Sequence, residues 1–306
     1  MTCRLCPRKC GADRVTTLGF CQMGEKITAA RASLHFWEEP CISGISGKRG
    51  SGTVFFSGCV MKCVYCQNFE ISAENFGEEI TTGRLSDIFL ELQEQGALNI
   101  NLVNPTHFVP QMIRSLEAAK AHGLKIPVVY NSGGYERVET LKALSGLVDI
   151  YLPDVKYFDD ELAVKLSSAP DYFNTAMNAV GEMVKQTGKP VFEETDGEGK
   201  ILLRGTIVRH LVLPDCYKDS INVINRVAER FRGEILFSLM SQYTPFGLVK
   251  TDENYKKMNR RITTFEYQKA LNAVIDAGLE GYAQEKSSAR EEYTPSFDLT
   301  GINQRC

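Results

Sequence analysis

The sequence lacks the features of several large classes of protein. No apolar run approaches the roughly 20 residues that a transmembrane helix needs, and the first residues are cysteines and basic residues instead of the apolar stretch of a signal peptide. The 35 lysines and arginines nearly balance the 38 aspartates and glutamates, which leaves a net charge of −3. We therefore expect no nucleic-acid partner, no membrane partner and a cytoplasmic location.

Cysteine, in contrast, is plentiful and unevenly distributed. Eight of the ten cysteines precede residue 67, and most of them stand two or three residues apart. In a reducing compartment such groups indicate metal ligation instead of disulfides. Cys41 stands alone, and we interpret it as a buried thiol or a cysteine that is incidental to the redox chemistry.

Three cysteines form the central motif of the chain. Cys59, Cys63 and Cys66 have the spacing C-x3-C-x2-C and follow an apolar run at residues 53–57 that predicts a strand. The loop therefore leaves the C-terminal end of a strand, where ligands bind in α/β folds. Three thiolates leave one iron of a [4Fe–4S] cluster open to a small molecule. The alternatives are a partial zinc site or free cysteines in a core.

The aromatic residue before the third cysteine carries a resemblance. With Tyr65 in place, the motif resembles the signature C-x3-C-x-aromatic-C of the radical S-adenosylmethionine (SAM) superfamily. Gln67 and Asn68 follow, as in glycyl-radical activating enzymes. The whole chain is most similar to proteins related to the pyruvate formate-lyase activating enzyme, in a subgroup with an N-terminal four-cysteine motif.

That N-terminal motif has the spacing C-x2-C-x3-C-x10-C and consists of Cys3, Cys6, Cys10 and Cys21. Four thiolates can close a tetrahedral zinc site or hold a second [4Fe–4S] cluster. Zinc is slightly favoured, because a structural metal suits a short segment without its own core. Four unligated thiols are the remaining alternative.

From residue 53 onward the pattern alternates strand and helix. Strands are predicted at residues 53–57, 97–103, 126–130, 148–152, within 201–213 and at 234–239. Helices are predicted at 84–95, 108–121, 136–144, 160–167, 172–187, 219–230 and 264–277. Such alternation implies parallel strands with right-handed crossovers. Together with the resemblance, it predicts an α/β fold: a partial (β/α)6 TIM-like barrel with a small Cys-rich appendage.

The chain is accordingly divided into three parts. Residues 1–52 form the Cys-rich segment and a linker, residues 53–283 the barrel, and residues 284–306 a polar tail. In the linker, His35 lies in an aromatic patch, which we interpret as packing the appendage on the barrel instead of as a ligand. The tail either covers the open side of the barrel or contacts a partner.

The resemblance also implies a set of SAM contacts at the strand ends. These candidates are Tyr65, Asn104, Thr106, Asn131, Ser132, Asp154, Lys156, Arg209, Leu211 and Gln242. The pair Asp154-x-Lys156 matches the activating-enzyme pattern, with the ammonium suited to the SAM carboxylate; a surface ion pair is the alternative. The second strand end departs from the family, since Asn104-Pro-Thr-His107 replaces Gly-Gly-Glu and removes a carboxylate. His107 is either a proton donor on the substrate side or structural.

The resemblance implies the reaction as well. A reduced cluster cleaves SAM to methionine and a 5′-deoxyadenosyl radical, which abstracts a hydrogen atom from a substrate. A flavodoxin or ferredoxin is the expected electron donor. Three hypotheses are kept: an activase that acts on a glycyl-radical enzyme, an enzyme that acts on a small molecule or peptide side chain, and a non-catalytic iron–sulfur or zinc protein that transfers electrons or scaffolds a complex.

Overall fold

One mixed sheet organises the structure, which is a computed structural model that describes residues 2–284 and 295–303. The strands in this part of the chain are β1 (Ile27–His35), β2 (Ser51–Phe56), β3 (Glu78–Ile80), β4 (Ile100–Val103), β5 (Val128–Ser132), β6 (Ile150–Pro153), β7 (Val191–Thr195), β8 (Gly199–Leu211), β9 (Leu236–Met240) and β10 (Gly281–Ala283). Their order is β10-β9-β8-β6-β5-β4-β2-β1-β3, with β7 paired to β8.

Helices connect these strands and cover the sheet. They are α1 (Pro40–Ser43), α2 (Phe69–Ser72), α3 (Thr82–Glu94), α4 (Val109–Ala121), α5 (Val138–Lys142), α6 (Asp160–Ser167), α7 (Tyr172–Thr187), α8 (Tyr217–Phe231) and α9 (Thr264–Asp276), with short 3₁₀ helices at Thr106–Phe108, Gly247–Lys250 and Glu253–Met258. Within the described ranges, no helix has the length and apolar character needed to cross a bilayer.

The six predicted parallel strands are β2, β4, β5, β6, β8 and β9, and they are consecutive neighbours in the sheet. The sheet is curved, because His35 at the end of β1 and Met240 on β9 line the same cavity although many strands separate them. The predicted α/β fold, a partial TIM-like barrel, is confirmed.

Burial explains why these segments form these elements. All six residues of β2 are buried, as expected for a parallel strand covered on both faces. The helix α8 buries Val223, Ile224, Val227 and Phe231, which recur at the spacing of one helical face. The helix α9 begins with a capping box in which Thr263 and Glu266 satisfy each other's backbone N–H groups.

The predicted linker contains a strand that the sequence did not indicate. The strand β1 pairs antiparallel with β2 along its length, from Ala29 opposite Phe56 to His35 opposite Ser51. Its sequence, ITAARASLH, is rich in alanine and therefore shows little of the β-branched character that predicts strands. The partition of the chain into three parts stays a prediction.

Other boundaries differ locally. The strand predicted at residues 97–103 begins only at Ile100, and the Asn99 side chain just before it binds Ser51 and the Ile42 carbonyl. The helix predicted at 136–144 is shortened to α5. Both β7 and β10 were unexpected; β7 forms an exposed hairpin with β8, and β10 adds a parallel strand beside β9.

The described part of the tail packs on β1 and α3. The Leu299 N–H donates to the Ala30 carbonyl at 3.0 Å, and the Ala32 N–H donates to the Thr300 carbonyl at 2.8 Å. Arg84 of α3 donates to the carbonyls of residues 301–303 while it pairs with Glu91. Residues 285–294 and 304–306 lie outside the described residues.

One buried carboxyl lies just beyond β5. Glu136 is 2% exposed and accepts hydrogen bonds from the Thr106 hydroxyl at 2.6 Å and the Tyr130 hydroxyl at 3.2 Å. Burial raises the pKa of Glu136 from 4.5 to about 7, against the opposing effect of these hydrogen bonds. Its pKa is therefore higher in the folded than in the unfolded chain.

The raised pKa of Glu136 predicts a pH dependence of stability. Its contribution to stability is complete below pH 4.5 and is lost as the pH rises through about 7. A pKa that differs by one between the folded and unfolded chain corresponds to about 1.4 kcal/mol of stability. We expect Glu136→Gln to gain stability relative to wild type between pH 5 and pH 8 in thermal unfolding of the metal-free protein. Glu139→Gln, an exposed neighbour, is the control, and a pH-independent difference for Glu136→Gln would contradict the assignment.

Candidate radical SAM site

The three-cysteine loop follows β2 directly and is held by donors to its sulfur atoms. Cys59 Sγ accepts a hydrogen bond from the Met61 N–H at 3.3 Å, Cys63 Sγ from the Ser167 hydroxyl at 2.9 Å, and Cys66 Sγ from the Ser72 hydroxyl at 3.2 Å. Each thiol therefore has a donor of its own. Donors of this kind orient sulfur ligands and tune the cluster that they hold.

The three thiols of the loop are half-buried near one another, and this raises their pKa values. Burial and the neighbouring Cys63 and Cys66 raise the pKa of Cys59 to about 12, and burial raises the pKa of Cys63 to about 11. Burial likewise raises the pKa of Cys66. Without a metal, the three thiols are therefore protonated at neutral pH. A bound metal would compensate their charge as thiolates.

A chain of hydrogen-bonded hydroxyl groups leads to the sulfur atom of Cys63. The Tyr65 and Tyr157 hydroxyls are 2.5 Å apart, and the Tyr157 hydroxyl lies 2.6 Å from that of Ser167, which in turn donates to Cys63. The aromatic of the motif is thus tied to the loop that contains it. Ser167 stands at the end of α6 without any motif around it, so the sequence carries no signal for this role.

A cavity of about 240 Å³ opens beside the loop and gathers most of the predicted SAM contacts. Cys63 and Cys66 lie in its wall. The predicted residues that line it are Tyr65, Asn131, Asp154, Lys156, Arg209, Leu211 and Gln242. They come from the ends of β5, β6, β8 and β9 and from the cysteine loop, as the predicted fold requires. Their roles as SAM contacts stay predictions.

Asp154 and Lys156 form an ion pair in this cavity, 2.5 Å between Lys156 Nζ and Asp154 Oδ2. The two side chains are only 20% and 15% exposed, so the pair is not a surface ion pair. Burial lowers the pKa of Lys156, but the charge of Asp154 outweighs burial and raises it well above its ordinary value. Lys156 is therefore a fixed cation next to the cysteine loop.

Three predicted contacts do not line the cavity. Asn104, with a left-handed φ of 58°, donates its side-chain amide to the Gly58 carbonyl and accepts a weak 3.6 Å contact from Cys59 Sγ. Thr106 is buried and binds Glu136. The Ser132 hydroxyl accepts from the Gly134 N–H at 3.3 Å. In this structure Asn104 supports the cysteine loop, while Thr106 and Ser132 support the end of β5.

Sequence reasoning missed a carboxylate in the cavity. Glu38, between β1 and α1, accepts hydrogen bonds from Asn101 at 2.9 Å and Asn131 at 3.4 Å and pairs with Arg209. Arg209 also pairs with Glu39, with 2.9 Å from Nε to Oε1. In the sequence, Glu38 and Glu39 are distinguished only by their position beside an aromatic patch, in the predicted linker. Arg209 is thus held by two glutamates instead of being free for a ligand.

The two candidate histidines have different positions. His35 lines the cavity and meets the Phe55 ring edge-on at 6.1 Å between centroids. His107 lies behind the cysteine loop, with Nε2 2.7 Å from the Ser57 carbonyl, and burial lowers its pKa to about 3. A neutral, buried His107 that is absent from the cavity wall fits the structural alternative.

The four N-terminal cysteines come together in the structure. A Cβ at Gly19 would lie 3.3 Å from Cys21 Sγ and 3.7 Å from Cys10 Sγ. Burial raises the pKa of Cys21, and neighbouring Cys3 and Cys10 act in the same direction. Burial, with smaller contributions from Glu136, Cys3 and Cys21, raises the pKa of Cys6 to about 11.

Neither group of cysteines is arranged around a single ion. Across residues 2–284 and 295–303, no three His, Cys, Asp or Glu side chains are gathered as one metal ion requires. Neither zinc nor a second cluster at the N-terminal cysteines gains support from this arrangement. A four-iron cluster separates its thiolate ligands more widely than a single ion does. Three half-buried thiols, each with a hydrogen-bond donor, suit a cluster at the loop.

Comparison with known proteins decides the family. The sequence model of the Radical SAM superfamily matches residues 53–193, which begin at β2 and include the cysteine loop. The uncharacterized protein MJ0674 of Methanocaldococcus jannaschii is 30% identical over 281 residues, which cover 88% of this chain and 73% of that protein. Residues 53–193 of the chain therefore form a radical SAM superfamily domain. Members of this superfamily are enzymes, and membership implies a [4Fe–4S] cluster and SAM.

Two solved structures of one protein, SuiB, have the same fold as this chain. Streptococcus suis SuiB bound to S-adenosylmethionine has a TM-score of 0.52 and 13% identity over 74% of this chain and 48% of SuiB. SuiB bound to its precursor peptide SuiA has a TM-score of 0.51 and 13% identity over 74% of this chain and 46% of SuiB. The radical SAM chain thus spans about half the length of these structures, and at this identity the likeness shows the fold alone.

The Glu38–Arg209–Glu39 group predicts a large effect on stability. Arg209→Met leaves two buried carboxylates without their cation, and breaking a buried pair in this way costs about 3–5 kcal/mol. Arg226→Met breaks an exposed pair with Glu229 and is the matched control, with an expected cost below about 1 kcal/mol. Guanidinium unfolding of both variants measures the difference. Equal losses would show that the buried group does not stabilise the barrel.

Proposed function

We propose that this protein is a radical SAM enzyme of the activating-enzyme type, with Cys59, Cys63 and Cys66 as ligands of the cluster. The observation that carries the proposal is that these three thiols, each with its own hydrogen-bond donor, adjoin a cavity that contains a fixed ion pair and the ends of the parallel strands. An arrangement of three ligands leaves one coordination position open, as a catalytic centre requires and a closed electron-transfer centre does not.

When bound, the cluster and SAM supply the radical chemistry: one electron cleaves SAM to methionine and a 5′-deoxyadenosyl radical that abstracts a hydrogen atom from the substrate. The chain supplies orientation. Lys156 offers a cation to the SAM carboxylate, and Asp154 holds that cation in place. Leu211 and Met240 give the cavity an apolar wall, and the side chain of Gln242 adds polar groups.

Some predicted contacts have a narrower role in this proposal. Because Arg209 is already paired with Glu38 and Glu39, it orients the cavity wall instead of binding SAM directly. Asn104 acts on Cys59 and Gly58 and so fixes the loop. The second strand end, Asn104 to His107, lacks the carboxylate that the activating enzymes have there. Glu38 places a carboxylate in the cavity from a different segment.

The electron donor and the substrate are further parts of the proposal. A flavodoxin or ferredoxin supplies the electron, and the target hydrogen is on a glycine of a glycyl-radical enzyme. The resemblance of the loop, with Gln67 and Asn68 after the third cysteine, supports an activase. A small molecule or a peptide side chain is the alternative substrate, and a non-catalytic protein would leave the open position of the loop without a use.

Removal of one thiol tests the enzymatic assignment. After anaerobic reconstitution with iron and sulfide, dithionite and SAM, we expect wild type to form 5′-deoxyadenosine and Cys66→Ala to form none above background, because two thiolates do not hold the cluster. Cys216→Ala, a half-buried cysteine beside α8, is the matched control and should behave as wild type. The product is quantified by chromatography. If wild type contains its full complement of cluster but forms no 5′-deoxyadenosine, the enzymatic proposal is wrong.

A second experiment separates the classes of substrate. The reduced, SAM-loaded protein is mixed with a glycyl-radical enzyme, and the partner is examined by electron paramagnetic resonance (EPR). We expect the doublet of a glycyl radical with wild type and no doublet with Cys66→Ala. SAM cleavage without a radical on the partner would exclude that enzyme as the substrate and favour a small molecule or another peptide.

A further inference from the structure

The N-terminal segment lies directly against the cysteine loop. Gly58, which immediately precedes Cys59, has a left-handed φ of 79°, and a Cβ there would lie 2.7 Å from the Cys21 carbonyl oxygen. Arg14 donates to the carbonyl of His107, behind the same loop. The two cysteine groups are therefore parts of one packed region, in which the N-terminal segment covers the cysteine loop.

Arg8 makes the most direct contact between them. Its Nε donates to the Val60 carbonyl, inside the cysteine loop, at 2.9 Å. Its guanidinium stacks over the Phe20 ring at 3.9 Å and lies 5.4 Å from the centre of the Tyr135 ring. An arginine held by one hydrogen bond and two aromatic rings has a fixed position, so its charge stays beside the loop.

One donor of this arginine has no use in the described chain. Arg8 Nη2 is buried and has no hydrogen-bond partner among the residues that the structure describes. A buried cationic donor without an acceptor is costly, so such an atom indicates a missing partner. The surroundings contain sulfur as well as the Tyr135 ring, since Cys6, Cys59 and Cys63 lie close enough that their thiolates, once formed, would interact with the charge of Arg8.

We propose that Arg8 is a positioning residue for the cluster on the Cys59–Cys66 loop, where it offers its charge and its unpartnered N–H to the sulfur atoms of that cluster. The proposal rests on the proposed function, because it needs a cluster at this loop. Arg8 belongs to the N-terminal segment. The proposal therefore gives that segment a role whether or not it holds a metal of its own.

The expected effect is on the reduction potential. Adding an electron makes a cluster more negative, so a fixed cation and a hydrogen bond to sulfur favour the reduced form. Arg8→Gln removes the cation and keeps a polar side chain of intermediate length. Arg8→Lys keeps the charge but loses the fork of donors and the stacking on Phe20.

An EPR-monitored redox titration of the reconstituted protein tests the proposal. The signal to follow is the part that changes when SAM is added, which separates the cluster at the loop from any cluster at the N-terminal cysteines. For Arg8→Gln we expect the ratio of reduced to oxidised cluster at a fixed potential to fall at least tenfold, which is about 59 mV for one electron. For Arg8→Lys we expect a smaller fall in this ratio. Arg4 is an exposed arginine of the same segment, and Arg4→Gln should have the same ratio as wild type.

The outcomes are distinct. An unchanged potential in Arg8→Gln, with iron content equal to wild type, overturns the proposal. Equal changes of potential in Arg8→Lys and Arg8→Gln also overturn it, because the positive charge of Arg8 would then have no effect of its own on the cluster. If Arg8→Gln binds less iron, a titration of the cluster that remains still gives its potential. A wild type with no SAM-responsive cluster would instead refute the proposed function.

Discussion

The partial burial of three neighbouring thiols is the constraint on which the rest of this structure depends. A thiolate in a protein interior is costly, and each additional thiolate nearby raises the cost. The chain responds by surrounding the cysteine loop with groups that favour negative charge. Ser72, Ser167 and a backbone N–H donate to the sulfur atoms, and Lys156 and Arg8 place positive charge on different sides of the loop. Ser167, Lys156 and Arg8 come from distant parts of the sequence, so the loop acquires its properties only in the folded chain.

The barrel interior solves a second electrostatic problem. Glu38 and Glu39 enter it from the segment after β1 and are compensated by Arg209 of β8. Such a group adds little net stability compared with apolar packing, but it is demanding in its geometry. It joins the segment after β1 to the far side of the sheet, while Asn101 and Asn131 bind the same carboxylate from β4 and β5. The cavity wall next to the cysteine loop is therefore fixed by polar contacts that need the whole barrel.

The sequence predicted the parts of this architecture that local patterns determine. Six buried strands alternating with amphipathic helices show clear periodicities, and Cys59, Cys63 and Cys66 stand at a diagnostic spacing. The pair Asp154 and Lys156 was found because it is local, two residues apart on one strand end. Glu38 and Ser167 were missed, because their importance depends on tertiary contacts with residues more than a hundred positions away. The sequence does not predict β1, because its alanines have little preference for a strand and join the sheet only by pairing with β2.

The backbone contacts between β1 and residues 299–300 have a consequence for the order of folding. Arg84 and the Ile302 carbonyl are 218 positions apart, and β1 receives the partner for its outer edge from equally distant residues. Contacts of such sequence separation form slowly and late, since a long loop must close first. During synthesis, β1 and the segment that carries Glu38 would wait for almost the entire barrel before that edge is covered. The strand edge exposed in the interval is a point at which a nascent chain can pair wrongly.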